Sequence, residues 1–374
     1  MEERPLNIGI VCYPTIGGSG VVATEMAIHA AAKGHNIHLL SYDKPARLVA
    51  KESQVVYHSV EVSAYPLFRY PPYDLALAAL MVDVQAEFDI DLFHVHYAIP
   101  HAVSAFLARS MSKKRLRCIT TLHGTDITIV GADPAYAQPT RFAIEESNAV
   151  TAVSRFLADE TQRTFSIDKK IHVIPNFVDT ELFRPGNQGR YYEREDSTRT
   201  IVHISNFRPL KRVADVVRAF AIIQREVPSR LLLVGDGPDR EHALAIADDT
   251  GCRHAVEHLG SLESTESVLQ DADLFLLASE KESFGLSMLE AMSCGVPCVS
   301  TDVGGVSEVL GDARYLTPVN NPQAMVEAAL PLLTDEALHR QASLEVRHRA
   351  LELFDQNQIA EQYFELYRAV IAEG

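Results

Sequence analysis

Short apolar runs recur along the chain, separated by longer stretches in which apolar residues return at every third or fourth position. Runs that are apolar at nearly every place suit strands covered on both faces, and the intervening period suits amphipathic helices. In the first half the runs are 7–13, 37–42, 55–62, 92–96, 118–122, 149–153 and 171–174, with helical patterns at 21–33, 75–87, 101–111 and 140–147 between them. A polar stretch, 184–199, rich in charge, Gly and Tyr, reads as a linker. A second series follows at 201–205, 231–234, 256–259, 274–278, 297–300 and 314–316. Such alternation predicts mostly parallel, doubly wound sheets. The expected fold class is α/β, with two Rossmann-like doubly wound domains in tandem, residues 1–180 and 181–355. No strand follows the last helical pattern, 356–370, so the segment 356–374 is expected to pack back on the first domain.

A chain of 374 residues has room for two cores. Lys and Arg number 34 against 50 Asp and Glu, a formal net charge of −16, which argues against nucleic acid or an anionic membrane surface as a partner. No window reaches the roughly 18 consecutive apolar residues that span a bilayer. The opening Met1-Glu-Glu-Arg-Pro5 lacks the basic-then-apolar order of a secretory signal, so a cytoplasmic location is expected. Five cysteines, Cys12, Cys118, Cys252, Cys294 and Cys298, are odd in number and mostly set in apolar runs. They read as small buried hydrophobes in a reducing compartment.

In open parallel sheets ligands gather beyond the carboxyl ends of the strands, so position relative to a strand tests each candidate. The segment Glu282-Ser-Phe-Gly-Leu-Ser-Met-Leu-Glu290 follows the run 274–278 and passes. Its two carboxylates flank a small turn that opens a helix, with Glu290 about two turns in. The carboxylates suit sugar hydroxyls, and the amides of Ser283, Phe284 and Gly285 suit an anion. Taken alone, the segment also fits a surface helix with a capping Glu. Lys211 stands at the start of the helix 212–226, where a cation opposes the helix dipole unless an anion such as a diphosphate sits there; a solvated basic turn is the alternative. Gly235-Asp-Gly-Pro-Asp239 and Leu259-Gly260-Ser261 add small-residue loops at the same edge.

In the first half, Pro14-Thr-Ile-Gly-Gly-Ser-Gly20 is a Gly-rich turn that fits only the start of a dinucleotide fingerprint, so a nicotinamide enzyme is the weaker reading. Thr121-Leu-His123-Gly-Thr-Asp126 brings an imidazole and a carboxylate to the edge: His123 to orient a sugar, steer a proton or cap the turn, and Asp126 to cap the next helix. His94 and His96 share one sheet face inside a packed layer and read as core or supporting histidines rather than metal ligands. Asp89-Ile-Asp91 and Asp271-Ala-Asp273 precede their strands, at the amino edges, and read as loop solvation and helix exits. No metal is expected.

On these motifs nearly the whole chain resembles the retaining glycosyltransferases of the two-Rossmann-domain (GT-B) type, marked by Glu-x7-Glu in the second domain. Within that family, Cys12-Tyr-Pro-Thr-Ile-Gly-Gly-Ser-Gly20, Arg69-Tyr-Pro-Pro-Tyr-Asp74, His94-Val-His-Tyr-Ala-Ile-Pro-His101, Leu122-His-Gly-Thr-Asp-Ile-Thr128 and Arg141-Phe-Ala-Ile-Glu145 are similar to one branch. That branch passes N-acetylglucosamine from UDP-N-acetylglucosamine to the hydroxyl of L-malate with retention, the first step of bacillithiol biosynthesis. The resemblance implies two domains facing across a cleft and those two small molecules as partners. It implies no cofactor, no nucleic acid and no stable membrane association, and is compatible with a homo-oligomer.

The resemblance also implies roles. Glu282 would hold donor-sugar hydroxyls, the backbone at Phe284 and Gly285 would meet the phosphates, Glu290 would bind the ribose and Lys211 the diphosphate, with His123 near the sugar. His123, Glu282 and Lys211 form the expected catalytic set. The family's usual Arg five residues before that Lys is Asn206 here, so neutralisation would fall more on Lys211, with Arg212 assisting. Asn206, Gly235, Gly260 and Ser283 complete the expected donor site. The departing phosphate would accept the acceptor's proton on the face of attack. A dicarboxylate acceptor needs backbone donors and a cation, and Gly18, Ser19, Tyr97, Thr121 and Arg141 are the candidates. A surface ion pair is the alternative for Arg141.

Two other functions fit less well. A same-fold transferase acting on an inositol phosphate or a lipid-linked sugar is one; a lipid acceptor would favour an exposed basic and aromatic helix, whereas 21–33 is mostly Ala, Ile and Val with one Lys. The other is a non-enzymatic nucleotide-sugar sensor, whose mark would be a lost donor carboxylate or lysine. Glu282, Glu290 and Lys211 are all present.

Overall fold

The structure, a computed structural model, describes residues 4–15, 17–50, 53–63, 66–186 and 198–373. Most of the stretch read as a linker, 184–199, lies outside them. The chain divides into two compact units, one running to Pro175 and resuming at Ile359, the other Asn176–Gln358. The division falls just ahead of the expected 180/181 boundary. Residues after Pro175 are held by the second unit: Val178 N–H donates to Phe354 O at 2.9 Å, Gln356 N–H donates to Val178 O at 3.1 Å, and the Thr180 hydroxyl donates to Asp355 at 2.6 Å. From Ile359 the last helix, Gln356–Ala372, belongs to the first unit.

The first unit has seven strands: β1 Asn7–Val11, β2 Asn36–Ser41, β3 Val56–Ser59, β4 Leu92–His96, β5 Cys118–Leu122, β6 Ala149–Ala152 and β7 Ile171–Val173. They form one parallel sheet in the order β3-β2-β1-β4-β5-β6-β7. In the second unit β8 Arg199–Ile204, β9 Ser229–Val234, β10 Val256–Gly260, β11 Leu274–Leu277, β12 Cys298–Thr301 and β13 Leu316–Thr317 repeat the pattern as β10-β9-β8-β11-β12-β13. Both sheets therefore reverse their strand order at one place, between β1 and β4 and between β8 and β11, and the loops beyond those strands are where a doubly wound sheet binds ligand. In the first unit Val11, Leu40, Leu77, Met81, Phe93 and Val95 share one buried cluster, which fixes the strands from which its loops spring. All five cysteines are buried, and no disulfide joins them. Among the described residues no helix is long and apolar enough to cross a membrane.

Several elements depart from the periodicity, each for a local reason. The expected helix 101–111 begins at Val103; before it Ile99 is extended (φ −129°, ψ 132°), as a residue preceding proline prefers. The helix expected at 140–147 starts earlier, at Pro134, because the Asp133 side chain accepts from Ala135 N–H at 2.8 Å and Pro134 fits the first turn. The expected strand 314–316 is mostly a tight turn, Ala313–Tyr315, capped by Asp312, and only then β13. The acidic triplets do more than solvate loops. Asp91 accepts Asn7 N–H at 2.9 Å and Asp273, fully buried, accepts Thr200 N–H at 2.8 Å, so each ties the amino ends of neighbouring strands.

Candidate active site

In the second unit the loops after β8, β9 and β10 pack backbone against backbone, and glycine makes this possible. A Cβ at Gly235 (φ +114°) would lie 1.7 Å from Ser205 O, and one at Gly237 would lie 2.2 Å from Asn206 O. Gly235 N–H donates to Gly260 O at 2.7 Å, and Asp239 N–H to Phe207 O at 2.9 Å. The amide of Gly235, expected at the donor, is thus spent on loop closure; the glycine shapes the site through its missing Cβ. Asn206 is exposed beside it.

Lys211 closes a tight turn, Pro209–Lys211, and Arg212 (φ +50°) precedes the helix Val213–Glu226. The β8 loop is sewn to the β11 loop by Glu280 N–H, which donates to Leu210 O at 2.7 Å. That contact carries Lys211 Nζ to within 2.5 Å of Glu282 Oε2, with Ser279 Oγ at 3.4 Å on the same oxygen. The lysine and glutamate side chains are 17% and 16% exposed, so the pair is reachable. Arg212 donates to Asp215 at 2.7 Å and lies 3.7 Å from Glu280 on the β11 loop. Glu282 O accepts Gly305 N–H at 3.1 Å, which joins the β12 loop to the same place. Gly285 (φ +93°) then starts the helix Leu286–Ser293. Because the left-handed Gly285 delays that start, Glu290 is the fifth helical residue, little more than one turn in rather than two, and it is buried. Phe284 is buried with its ring edge-on to Phe354, and Ser283 is half-buried.

The first unit meets at its own reversal point through neutral groups. Gly18 (φ +59°) caps the helix Ser19–Ala32, and a Cβ at Gly20 would meet Thr15 Oγ1 at 2.4 Å. Ser19 Oγ, after β1, hydrogen-bonds Tyr97 OH, after β4, at 2.7 Å. Tyr97 has φ +87°, and its N–H donates to Thr121 O at 2.9 Å. Around it Tyr13 lies 5.5 Å from Tyr97 and 4.5 Å from His101, ring centre to ring centre, and Tyr97 lies 5.3 Å from His123.

Two expectations change here. Thr121, placed with the acceptor ligands, is fully buried; its hydroxyl meets His94 Nε2 and Thr151 Oγ1, each at 2.6 Å, because the pleat turns it into the packed layer. Asp126, read as a helix cap, is buried inside the short helix Thr125–Thr128. Its carboxylate accepts from Gly124 N–H at 2.9 Å, His123 N–H at 3.2 Å and Ala98 N–H at 3.0 Å, binding the ends of β4 and β5 together. Burial pushes its carboxyl up to about 6, against the downward pull of those bonds.

His123 Nε2 lies 2.8 Å from His96 Nδ1, and burial pushes the His123 imidazole down to about 3, so it is neutral. Arg141 is exposed and pairs with Glu145 at 3.0 Å. The periodicity gave no warning of Tyr13 or His101 as parts of this cluster, although Tyr13 adjoins the Gly-rich turn; His96, read as a core or supporting histidine, is buried behind His123. Among the described residues no group of three His, Cys, Asp or Glu side chains is disposed to hold a metal.

Comparison with known proteins agrees with this architecture. Residues 190–349 match the family described as Glycosyl transferases group 1, and residues 16–182 that described as Glycosyltransferase Family 4. The chain is 44% identical over 373 residues, 98% of each protein, to the N-acetyl-alpha-D-glucosaminyl L-malate synthase of Bacillus anthracis. Among solved structures, a glycosyltransferase from Rickettsia africae matches with a TM-score of 0.81 at 18% identity over 100% of both chains. The sucrose-phosphate synthase of Thermosynechococcus elongatus matches with a TM-score of 0.81 at 20% identity, covering 99% of this chain and 100% of that one. The chain belongs to the group 1 glycosyltransferases and has their two-domain GT-B fold.

Proposed function

We propose that the protein is a retaining glycosyltransferase that moves N-acetylglucosamine from UDP-N-acetylglucosamine to the hydroxyl of L-malate, the first step of bacillithiol biosynthesis, in the cytoplasm and without a metal. The observation that carries a donor site is the meeting of Lys211 and Glu282 at the reversal point of the second sheet. The malate-directed reading is supported by the relative from Bacillus anthracis. In this reading Lys211 neutralises the diphosphate and Glu282 accepts hydrogen bonds from sugar hydroxyls. Glu290 binds the ribose, while Asn206, Ser283 and the backbone of Phe284 and Gly285 line the phosphates, on loops shaped by Gly235 and Gly260.

The acceptor is held by the Ser19 and Tyr97 hydroxyls and the Gly18 backbone. Arg141 exchanges Glu145 for a malate carboxylate. The bond between the anomeric carbon and the phosphate oxygen breaks while one to the malate oxygen forms on the same face, and the hydroxyl proton passes to the departing phosphate.

The test is incubation with several UDP sugars and acceptors, read by product mass, with and without a chelator. A glycoside of L-malate and N-acetylglucosamine formed in the presence of chelator is the expected product. A product with an inositol phosphate and none with malate would move the acceptor; chelator-sensitive activity restored by manganese would remove the metal-free mechanism.

A further inference from the structure

We propose that His96 is a positioning residue that fixes the tautomer of His123, so that His123 offers an Nδ1–H hydrogen-bond donor, not a basic nitrogen, to the substrate; this rests on the sugar-transfer reading above. Strands β4 and β5 run parallel with His96 opposite Thr121. The pleat therefore sends His94, His96, Thr121 and, one repeat on, His123 to one face. His94 has both ring nitrogens engaged, Nδ1 with Tyr367 OH and Nε2 with Thr121 Oγ1, each at 2.6 Å.

His96 is different. Its Nδ1 meets His123 Nε2 at 2.8 Å, and its Nε2 is buried with no partner among the described residues. Burial holds both imidazoles far below the ordinary histidine range, so the contact joins two neutral rings and contains one hydrogen. If His123 supplied that hydrogen from Nε2, His96 would carry its own on Nε2, as a buried N–H with nothing to accept it, and an unmet buried donor bears its whole desolvation cost. If His96 supplies it from Nδ1, its Nε2 is a bare lone pair, the less costly orphan. The second arrangement leaves His123 accepting at Nε2 and protonated at Nδ1. An imidazole in that state donates to a substrate oxygen through Nδ1 and cannot take the acceptor's proton there, which agrees with a proton that leaves on the phosphate.

The test is side-chain nitrogen NMR of the full chain at neutral pH, with the His123 signals assigned by their loss in His123→Gln. His123 protonated at Nδ1, with Nε2 as the acceptor, is the expected result. In His96→Asn the amide can still donate to Nε2, so the tautomer should persist; in His96→Leu it should become mixed. Turnover should fall about 10-fold in His96→Leu, the loss of one hydrogen bond, and largely recover in His96→Asn. His123 protonated at Nε2 in the parent protein overturns the proposal, as does an unchanged tautomer in His96→Leu. If His96→Leu does not fold, the parent spectrum still decides. A parent protein that transfers no sugar would sink the functional reading while leaving the tautomer result to stand.

Discussion

In the first unit the loops after β1 and β4 meet through two neutral hydroxyls, Ser19 and Tyr97, 2.7 Å apart; at the equivalent place in the second unit the loops after β8 and β11 meet through a full ion pair, Lys211 and Glu282, at 2.5 Å. Strand order is the same at both, so topology chooses the place and side chains choose the chemistry. A lysine held by a carboxylate can pass to a phosphate with little reorganisation, since it exchanges one anion for another. The neutral cluster has no such reserve. It is packed with tyrosine rings and uncharged imidazoles, and in the reading proposed above the charge for a dicarboxylate comes from Arg141 on an exposed helix.

The largest expected consequence of this contrast is in acid stability. In the first unit burial pushes His94 and His123 down to about 3 and His101 to about 4, and holds His96 well below its ordinary value; in the second, His203 is pushed to about 4. For a histidine whose folded pKa is depressed, the unfolded chain binds the proton first. Stability is therefore complete above the unfolded value of about 6.5 and is lost as pH falls toward the folded one, by up to about 1.4 kcal/mol per pH unit for each such group. Asp126, raised to about 6, works in the opposite sense between about 6 and 4, and offsets one histidine. Hydrogen exchange from pH 7 to 5, corrected for intrinsic rates, should show the first unit losing protection before the second. Simultaneous loss, or loss first in the second unit, would break the comparison.

The next effect is on the charged pair, where two substitutions should act with opposite sign. Lys211→Ala removes a charge-assisted contact and should weaken UDP binding by about 1.5–3 kcal/mol. Glu282→Gln should tighten UDP, because the carboxylate competes for Lys211, while transfer falls by roughly 100-fold. Calorimetry with UDP reads both; equal affinities in all three proteins would take the pair out of the donor site.

Arg141→Ala should raise the malate KM about 10-fold, the donor KM far less, because only the acceptor loses its partner. Arg141→Lys should rescue poorly, as an ammonium cannot make the planar bidentate contact. Equal changes in both KM values would assign Arg141 to its surface pair with Glu145 instead. The smallest effect belongs to the neutral hydroxyls. Ser19→Ala and Tyr97→Phe should each raise the malate KM by a few-fold, about 1 kcal/mol, and the double variant should cost less than their sum since one hydrogen bond is shared. Strict additivity would mean that the two hydroxyls act separately.

Much of this molecule can be read from local pattern. Apolar runs flanked by helical periods place the strands to within a few residues, since a strand covered on both faces must be apolar throughout. Gly18, Gly20 and Gly285 announce turns because no other residue accepts their backbone or their crowding, and the strand-end rule picks out Lys211, His123 and Glu282 before any contact is known. The contacts themselves are another matter. Ser19 and Tyr97 are 78 residues apart and Lys211 and Glu282 are 71 apart, brought together by strand order, which leaves no trace in periodicity. Which face of β5 is covered put Thr121 inside the layer, and the close of β4 against β5 made Asp126 a backbone anchor rather than a cap. Period and turn chemistry act over a few neighbouring residues and so are written in the chain; hydrogen-bond partners, burial and the proton states that follow from them depend on which distant segments the sheets set side by side.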